Sequence, residues 1–432
     1  MRPTFAAELT IPADQAECLG TLRAPAARGA LTAEEIQHAL AQPLWPRGGP
    51  TMFDCVQPGE SVCLVVSDHT RRSATERVLP ILLRGWLERR CRLQDFFILI
   101  SSGIHRHPTP AEISGILGAE MAQAFAGRIW AHDPDDTANL VAVGRTPCGH
   151  VVSINRRATA ADRLILLGAV SYHYHAGFGG GRKSLVPGLA ARANIIFTHS
   201  LTLDPTLNRL HPQVEIGRLD GNPVAEEMLA GARLCQVDGI INTVLTPAGK
   251  LAGVWAGDLE LAHRAACKQA EQLCRVDLAR PADFVIASAG KASNWIQSHK
   301  ALFNAARAVT ATGRIILQAP CPEGLGDEHF RYWVTRPTLD AIFRGLRQNP
   351  DVLGQTALST RMRGPRTILI TDLNARDRRD LGLNTAPDIQ AAVKRCLQDW
   401  RGSSQRRPTY YIMPEALSLV PFPCRPPAPP SL

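Results

Sequence analysis

Side chains able to move protons, bind anions or attack a carbonyl are concentrated in residues 171–184, which read Ser-Tyr-His-Tyr-His-Ala-Gly-Phe-Gly-Gly-Gly-Arg-Lys-Ser. An imidazole can accept or donate a proton near neutral pH. A lysine behind a glycine-rich loop can contact an anion or act as a nucleophile. The apolar run 164–170 precedes this stretch, which places it at the carboxyl end of a predicted buried strand.

Two further polar loops follow predicted strands. The apolar run 61–66 leads into Asp68 and Arg71, and the run 96–101 leads into His105. Because the carboxyl ends of parallel strands meet at one edge of a sheet, we expect these side chains and the loop 171–184 to form one site.

The glycine loop has two other interpretations. A solvated glycine turn with unrelated histidine and lysine side chains is one. The other is a phosphate-binding loop, G-x-x-x-x-G-K-[ST], which Gly177 to Lys183 and Ser184 almost match. Arg182 occupies the position of the second glycine, where a side chain would fill the phosphate cradle, so that match fails. The opening strand carries no convincing G-x-G-x-x-G, and there is no H-E-x-x-H or G-x-S-x-G.

Composition limits the class of protein. The chain has 432 residues, 45% of them hydrophobic, a net charge of +9 and eleven cysteines without a C-x-x-C pair. No stretch reaches the roughly 18 apolar residues of a membrane helix, and scattered cysteines suit a reducing compartment. We therefore expect a soluble cytoplasmic protein with no membrane partner. Aromatic residues are sparse and no nucleic-acid recognition motif occurs, so the basic surface is assigned to small anions rather than to nucleic acid.

The order of predicted elements indicates an α/β fold of two domains. Apolar strands, polar loops and helical segments alternate, and a fresh cycle begins after Pro281. We predict an N-terminal α/β domain over 1–278 with the candidate lysine and histidines, a C-terminal α/β domain over 279–420, and an unstructured Pro-rich tail over 421–432. Further predictions are a helix over 257–274, a helix over 297–309 and a capping box at Thr109 and Glu112.

Four short motifs occur in the same order and at similar spacings in the nickel-pincer lactate racemase family. They are Ser-Asp-His-Thr-Arg at 67–71, Gly-Ile-His-Arg at 103–106, the histidine and glycine loop at 173–183, and Gln-Ser-His-Lys at 297–300. Gly-Asn-Pro-Val at 221–224 and Cys-Pro-Glu-Gly at 321–324 also look like family landmarks. The chain resembles this family from about residue 50 to 415.

The resemblance implies a two-domain α/β protein with its active site in the interdomain cleft. It implies a nickel pincer nucleotide, pyridinium-3-thioamide-5-thiocarboxylic acid mononucleotide, attached to Lys183, with His199 as a protein ligand to Ni(II). Soft sulfur donors with a neutral imidazole suit square-planar nickel. Asp68, Gly180, Gly181 and Arg182 are the further positions assigned to cofactor binding.

The activity implied is racemisation or epimerisation of a 2-hydroxy acid by reversible hydride transfer to this cofactor, through a keto acid intermediate. His105 and His173 match the catalytic pair of the family, one base for each enantiomer. Arg71, Gln297 and Lys300 match the groups that hold the substrate carboxylate. Enzymes that make the cofactor are the implied protein partners, and a homo-oligomer is left open.

The chain departs from the family at several positions. Ala-Ser-Ala-Gly-Lys-Ala at 287–292 replaces a segment with proline and aspartate, and Ile296 replaces a tyrosine. In the glycine loop His175 stands for phenylalanine, Gly179 for serine and Arg182 for proline. The pocket tryptophan has no clear counterpart near 351–355. Lactate and a larger or more polar 2-hydroxy acid both remain open as the substrate, as does a non-catalytic binder of small anions.

Overall fold

The computed structural model describes residues 11–25, 29–401 and 406–423. No helix within these ranges is long and apolar enough to cross a bilayer. The chain divides into two compact units. The larger unit comprises the described residues between 26 and 273, and the smaller unit comprises residues 11–25 together with those from 274 onward.

Strands and helices alternate along most of the described chain. The strands are β1 (Glu17–Thr21), β2 (Val62–Ser67), β3 (Phe96–Ser101), β4 (Ile129–Ala131), β5 (Leu140–Arg145), β6 (Val151–Asn155), β7 (Arg163–Val170), β8 (Tyr172–His173), β9 (Gly177–Phe178), β10 (Gly239–Leu245), β11 (Leu251–Gly257), β12 (Arg275–Leu278), β13 (Ala282–Ser288), β14 (Val309–Gln318), β15 (Thr367–Ile370), β16 (Asn384–Thr385), β17 (Thr409–Met413) and β18 (Val420–Pro423). The helices are α1 (Ala33–Ala41), α2 (Thr75–Glu88), α3 (Pro110–Leu117), α4 (Ala119–Ala124), α5 (Arg156–Ala160), α6 (Arg192–Ser200), α7 (Pro223–Arg233), α8 (Leu261–Cys274), α9 (Trp295–Ala305), α10 (Glu328–Val334), α11 (Leu339–Gln348), α12 (Val352–Arg363), α13 (Ala375–Leu381) and α14 (Ile389–Arg401).

The larger unit is built on a six-stranded sheet of order β11-β10-β7-β2-β3-β4. Neighbouring strands are parallel except β10 and β11. From β2 the chain continues to β3 on one side, and it later returns to β7 on the other. The strand order therefore reverses between β2 and β7. In open α/β sheets, ligands bind beyond the carboxyl ends of the strands at such a reversal.

Both faces of this sheet are buried, as its long apolar strands require. Along β2, Val62, Leu64 and Val66 pack into one core cluster. Cys63 and Val65 point to the other face and join a second cluster. The strand is thus fixed on both sides, which holds the loop that follows it in a defined position.

The smaller unit contains a second six-stranded sheet, β1-β17-β13-β14-β15-β16, in which every neighbouring pair is parallel. Its order reverses between β13 and β17, and the loop after β13 leads into α9. Trp295 at the start of α9 is fully buried and donates its indole N–H to Thr360 on α12 at 3.1 Å. This contact fixes the start of the helix that carries Gln297 and Lys300.

The α/β class predicted from the sequence is confirmed, and several boundaries differ. Gly257 was expected to begin a helix but is the last residue of β11, and α8 starts at Leu261. The helix predicted over 297–309 ends at Ala305, and Val309 begins β14. Residues 421–423 were expected to be unstructured, yet Val420–Pro423 pairs in parallel with β12. The rest of the predicted tail, 424–432, lies outside the described residues.

The boundary between the two units lies between residues 273 and 274. The sequence placed it at residue 278, and the larger unit ends at Leu273. Residues 11–25 were grouped with the N-terminal domain, but β1 pairs with β17 of the smaller unit. The N-terminal segment therefore adds an edge strand to the sheet that residues 282–413 form.

Candidate active site

Three loops of the larger unit carry the predicted site residues. Asp68 and Arg71 follow β2, His105 follows β3, and the stretch from His173 to Lys183 follows β7. These strands are adjacent in the sheet, and β2 and β7 flank the point at which strand order reverses. The structure thus brings these loops to one sheet edge, as their positions after strands predicted.

Asp68 and His105 form a hydrogen-bonded pair across two of these loops. His105 Nδ1 donates to Asp68 Oδ2 at 2.6 Å, and Thr70 donates to Asp68 Oδ1 through its hydroxyl at 2.7 Å and its backbone N–H at 3.1 Å. Burial alone would raise the pKa of Asp68, but the hydrogen bonds from His105 and Thr70 outweigh it and lower that pKa. An ionised Asp68 fixes the proton of His105 on Nδ1 and leaves the lone pair on Nε2.

The His173 ring is held in the opposite tautomer. Its Nδ1 accepts backbone N–H groups from His175 at 3.2 Å and Ala176 at 3.1 Å. The neutral ring therefore carries its proton on Nε2. Burial, with the nearby charges of Lys183 and His175, lowers the pKa of His173 well below its ordinary value. His173 is thus a neutral hydrogen-bond donor in this state, whereas His105 is an acceptor at Nε2.

Lys183 lies in a 3₁₀ turn, Gly181–Ser184, that follows the glycine run. Its ammonium group has no hydrogen-bond or ion-pair partner among the described residues. Burial, followed by the positive charge of Arg71, lowers the pKa of Lys183 to about 7. With this pKa, Lys183 is neutral in about half of the protein molecules at pH 7. A neutral amine is the form that acts as a nucleophile.

Glycine is required at the turn that precedes Lys183. Gly180 has φ +75°, and a Cβ there would lie 2.5 Å from Val170 Cγ2 and 3.0 Å from Asn242 Oδ1. Gly181 has φ +50°, and a Cβ there would lie 3.0 Å from His263 Cδ2. The turn therefore sits directly on the sheet, and a side chain at Gly180 would force it away.

The Arg182 side chain is buried and contacts Ala225, Ala176 and His263. The guanidinium is 3% exposed and donates to the carbonyls of Ala225 and Ala176, both at 3.3 Å. Its Nη1 also lies 3.0 Å from His263 Nδ1. His263 Nε2 donates to the Gly179 carbonyl at 2.8 Å, so Nδ1 is the acceptor for Arg182. His263 therefore holds the Gly179 carbonyl in place, and Arg182 in turn holds His263.

His199 is the buried penultimate residue of α6. Its Nδ1 donates to the Ile195 carbonyl at 2.7 Å, which leaves the lone pair of the neutral ring on Nε2, the atom that a metal would bind. The His175 ring lies between the His173 and His199 rings, at centroid distances of 6.1 and 6.3 Å. No group of three or more histidine, cysteine or acidic side chains in the described ranges is arranged to hold a metal ion.

The predicted carboxylate-binding residues are divided between the two units. Arg71 of the larger unit is exposed, and no carboxylate of the described chain lies within ion-pair range of its guanidinium. Gln297 and Lys300 lie one turn apart on α9 of the smaller unit, where Lys300 Nζ donates to Gln297 Oε1 at 3.0 Å. That spacing puts both side chains on one face of α9.

Several residues that support the site were not predicted from the sequence. Asn222 donates to the His175 carbonyl at 2.8 Å and accepts N–H groups at the start of α7. Asn242 on β10 is fully buried beside Gly180, and neither its Nδ2 nor its Oδ1 has a hydrogen-bond partner among the described residues. The Gly-Asn-Pro-Val landmark could have indicated Asn222, but nothing in the local sequence distinguishes Asn242 or His263.

Comparison with known proteins shows that most of this chain is similar to lactate racemases. Residues 6–209 match the family model described as the lactate racemase N-terminal domain. The curated lactate racemase of Thermoanaerobacterium thermosaccharolyticum is 28% identical over 370 residues, covering 83% of this chain and 84% of that protein. The lactate racemase of Lactiplantibacillus plantarum is 31% identical over 300 residues, covering 69% and 68%.

Two solved structures are similar to this chain over most of its length. The lactate racemase apoprotein from Thermoanaerobacterium thermosaccharolyticum superposes with a TM-score of 0.84 at 26% identity, covering 97% of this chain and 99% of that one. A Thermotoga maritima protein shares the fold, with a TM-score of 0.67 at 18% identity over 93% of this chain and all of that one.

These relatives place this protein among the racemases. The chain belongs to the lactate racemase family.

Proposed function

We propose that this protein racemises or epimerises a 2-hydroxy acid. The proposal rests above all on the Asp68 and His105 pair beside the turn that carries Lys183, at the carboxyl edge of a sheet where strand order reverses. A protein that only binds an anion has no need of a carboxylate that fixes a histidine tautomer. Family membership supports the same reaction class.

His105 is proposed as the base that takes the proton of the substrate hydroxyl. Its Nδ1 proton is committed to Asp68, so the Nε2 lone pair is the one available to the substrate. As Nε2 gains a proton, the negative charge of Asp68 stabilises the imidazolium that forms. Arg71 is proposed to bind the substrate carboxylate, for which its planar guanidinium is suited.

His173 is proposed as the corresponding group for the other enantiomer. With its Nδ1 held by two backbone N–H groups, the ring presents Nε2–H and can donate to the hydroxyl or keto oxygen. To act as a base, it must move that proton to Nδ1 and give up both backbone hydrogen bonds. The two enantiomers therefore meet imidazoles that are chemically different in this state.

The residues present fit a nickel pincer nucleotide. Lys183 offers an amine that is about half neutral near pH 7 and has no partner among the described residues, as formation of a thioamide link requires. His199 offers Nε2 as a nickel ligand. The buried amide of Asn242, without a partner in the described chain, offers a donor and an acceptor beside Gly180. The chemistry that this group supplies when bound is reversible acceptance of the substrate Cα hydride.

Each remaining part of the cycle is assigned to this chain's own side chains. His105 and His173 hold and move the hydroxyl proton, and Arg71 orients the carboxylate so that Cα presents its hydrogen. Gln297 and Lys300 are proposed to bind the same carboxylate. Lactate is the activity named for the curated relatives, and we propose lactate or a larger, more polar 2-hydroxy acid as the substrate here.

A stereochemical assay tests this function. The protein would be produced together with the enzymes that make the cofactor, and single enantiomers of a panel of 2-hydroxy acids would be followed by chiral chromatography. We expect wild type to give both enantiomers of at least one acid and Lys183→Ala to give none. Lys250→Ala, which removes an exposed lysine of the same unit, is the control and should match wild type.

Loss of activity in both lysine variants would point to a general effect of charge. Racemisation that persists in Lys183→Ala would refute a covalently held cofactor.

The phosphate-binding-loop alternative finds no support in the local structure. Such a loop opens directly into a helix after its lysine. Here Lys183 lies in a 3₁₀ turn, and the next helix, α6, begins only at Arg192. We therefore expect no ATP-dependent rise in the thermal unfolding temperature.

A further inference from the structure

A cavity remote in sequence from the loops described above lies between helices α10 and α11 of the smaller unit. Its volume is about 530 Å³, and it is lined by Glu328, His329, Tyr332, Trp333, Arg336, Gly345, Gln348 and Asn349. The His329 and Tyr332 rings stack at a centroid distance of 5.8 Å, and the Trp333 ring stands edge-on to both. The cavity thus has the flat apolar walls on which a planar molecule can pack.

Trp333 is fixed rigidly in this wall. Its side chain is 3% exposed. A Cβ at Gly354 would lie 2.8 Å from the shared bond of the indole, and a Cβ at Gly345 would lie 2.8 Å from its benzene edge. The ring is therefore held between two helix backbones that approach closely because both positions are glycine, which keeps the cavity wall flat.

Two N–H donors at this cavity have no acceptor. The Trp333 Nε1–H and the Arg336 Nε–H are both buried and without a hydrogen-bond partner among the described residues. A buried donor left without an acceptor is unfavourable, and such groups are rare in folded proteins. An oxygen atom of a bound ligand would satisfy them.

The charge of Arg336 is also uncompensated. Its guanidinium lies 4.2 Å from the Tyr332 ring centroid and 6.0 Å from that of Trp333. No carboxylate in the described part of the chain lies within ion-pair range of it. Glu328, which also lines the cavity, pairs with Arg331 at 2.9 Å, and Asp351 pairs with His329 at 3.0 Å.

We propose that this cavity is a binding site for a small organic carboxylate with a flat apolar body. The carboxylate would accept from Arg336 and from the Trp333 indole N–H, and the body would pack on Trp333 and Tyr332. The amides of Gln348 and Asn349 complete a polar rim. Aromatic walls with one fixed cation and unpaired N–H donors favour this class over a neutral ligand or an inorganic anion.

Benzoate, benzamide and inorganic phosphate are the probes, because they separate the ring from the charge. Binding would be followed on the full-length protein by the ¹⁵N-labelled indole N–H resonance of Trp333, assigned with Trp333→Phe. We expect benzoate to shift this resonance in a saturable manner. Benzamide and phosphate should each bind at least about tenfold more weakly, which corresponds to about 1.4 kcal/mol.

Arg336→Gln should weaken benzoate binding about tenfold or more. The matched control is Arg344→Gln, since Arg344 lies on α11 next to Gly345 but pairs with Asp340 and does not line the cavity. This control should bind benzoate within about twofold of wild type. If Arg336→Gln does not fold, judged by circular dichroism, Arg336→Lys should still bind more weakly than Arg344→Gln.

Four results would overturn the proposal. Equal affinity for benzoate and benzamide would show that the charge is not recognised, and equal losses in the two arginine variants would show only a general effect of charge. An unchanged Trp333 resonance, or a dimer in sedimentation velocity that Tyr332→Ser dissociates, would show that the face does not receive a small molecule.

Discussion

The hydrogen bond between Asp68 and His105 is the residue-scale feature on which the proposed chemistry depends most. Asp68→Asn would remove the charge that fixes the His105 proton on Nδ1 and that stabilises the imidazolium. We expect kcat to fall on the order of 10²-fold or more, with a smaller change in KM, in steady-state assays of cofactor-loaded protein. Thr70→Val removes the hydroxyl bond to the other carboxylate oxygen and is the milder control. A drop in kcat for Thr70→Val equal to that for Asp68→Asn would contradict this assignment.

The buried amine of Lys183 predicts a pH dependence of the stability of the cofactor-free protein. Its pKa is about 7 when folded and about 10.5 when unfolded, so the unfolded chain binds more protons between these values. Stability of wild type should therefore rise as pH increases from about 7 to 10.5, and the cost of burying the ammonium applies in full below pH 7.

Lys183→Met removes this titration. We expect the variant to be more stable than wild type at pH 6, on the order of 2 kcal/mol once partial exposure is allowed for, and the difference to shrink toward pH 10. Urea unfolding at several pH values measures it. A difference that does not change with pH would mean that Lys183 is solvated in the folded protein.

At the scale of elements, the glycine turn offers a matched pair of substitutions. Gly180→Ala combines φ +75° with a Cβ only 2.5 Å from Val170 Cγ2, whereas a Cβ at Gly179 would meet nothing closer than 3.6 Å. We expect Gly180→Ala to lose about 1–3 kcal/mol of stability and to misplace Lys183, and Gly179→Ala to be nearly neutral. Chemical denaturation checks both. Equal stability of the two variants would show that the turn does not rest on the sheet as described.

Local sequence determines some elements of this fold and not others. The capping box at Thr109 and Glu112 was predictable because both hydrogen bonds join residues three apart, and both form. The strands β2, β3 and β7 were predictable because each is a continuous apolar run. By contrast, β11 is interrupted by small residues, and it becomes a strand by pairing with β10 across the turn at Thr246 and Gly249.

Pairings between distant parts of the chain could not be predicted at all. β1 pairs with residues almost 400 positions away, and the prolines of 421–423 are accommodated at an edge strand beside β12. In the site, the positions after strands were enough to group Asp68, His105 and Lys183. The tautomers of His105 and His173 depend on hydrogen bonds that only the folded chain defines, and so do the supporting roles of Asn222 and His263.

At the scale of the whole molecule, residues 11–25 belong to the same compact unit as the described residues from 274 onward. β1 forms an edge of the smaller unit's sheet by pairing with β17. Deleting residues 1–25 should therefore increase amide hydrogen exchange in Thr409–Met413 while the strands of the larger unit stay protected. Exchange measured by mass spectrometry tests this. Increased exchange in Val62–Ser67 instead would contradict the division into units.

The central proposal is that Lys183 holds a nickel-containing cofactor through which this family member acts on 2-hydroxy acids. The most direct test is peptide mass spectrometry with metal analysis, on protein produced together with the cofactor-making enzymes. We predict an adduct on the peptide that contains Lys183, near-stoichiometric nickel, and neither in Lys183→Ala. An unmodified Lys183 without nickel, under conditions that load a lactate racemase, would contradict the proposed chemistry.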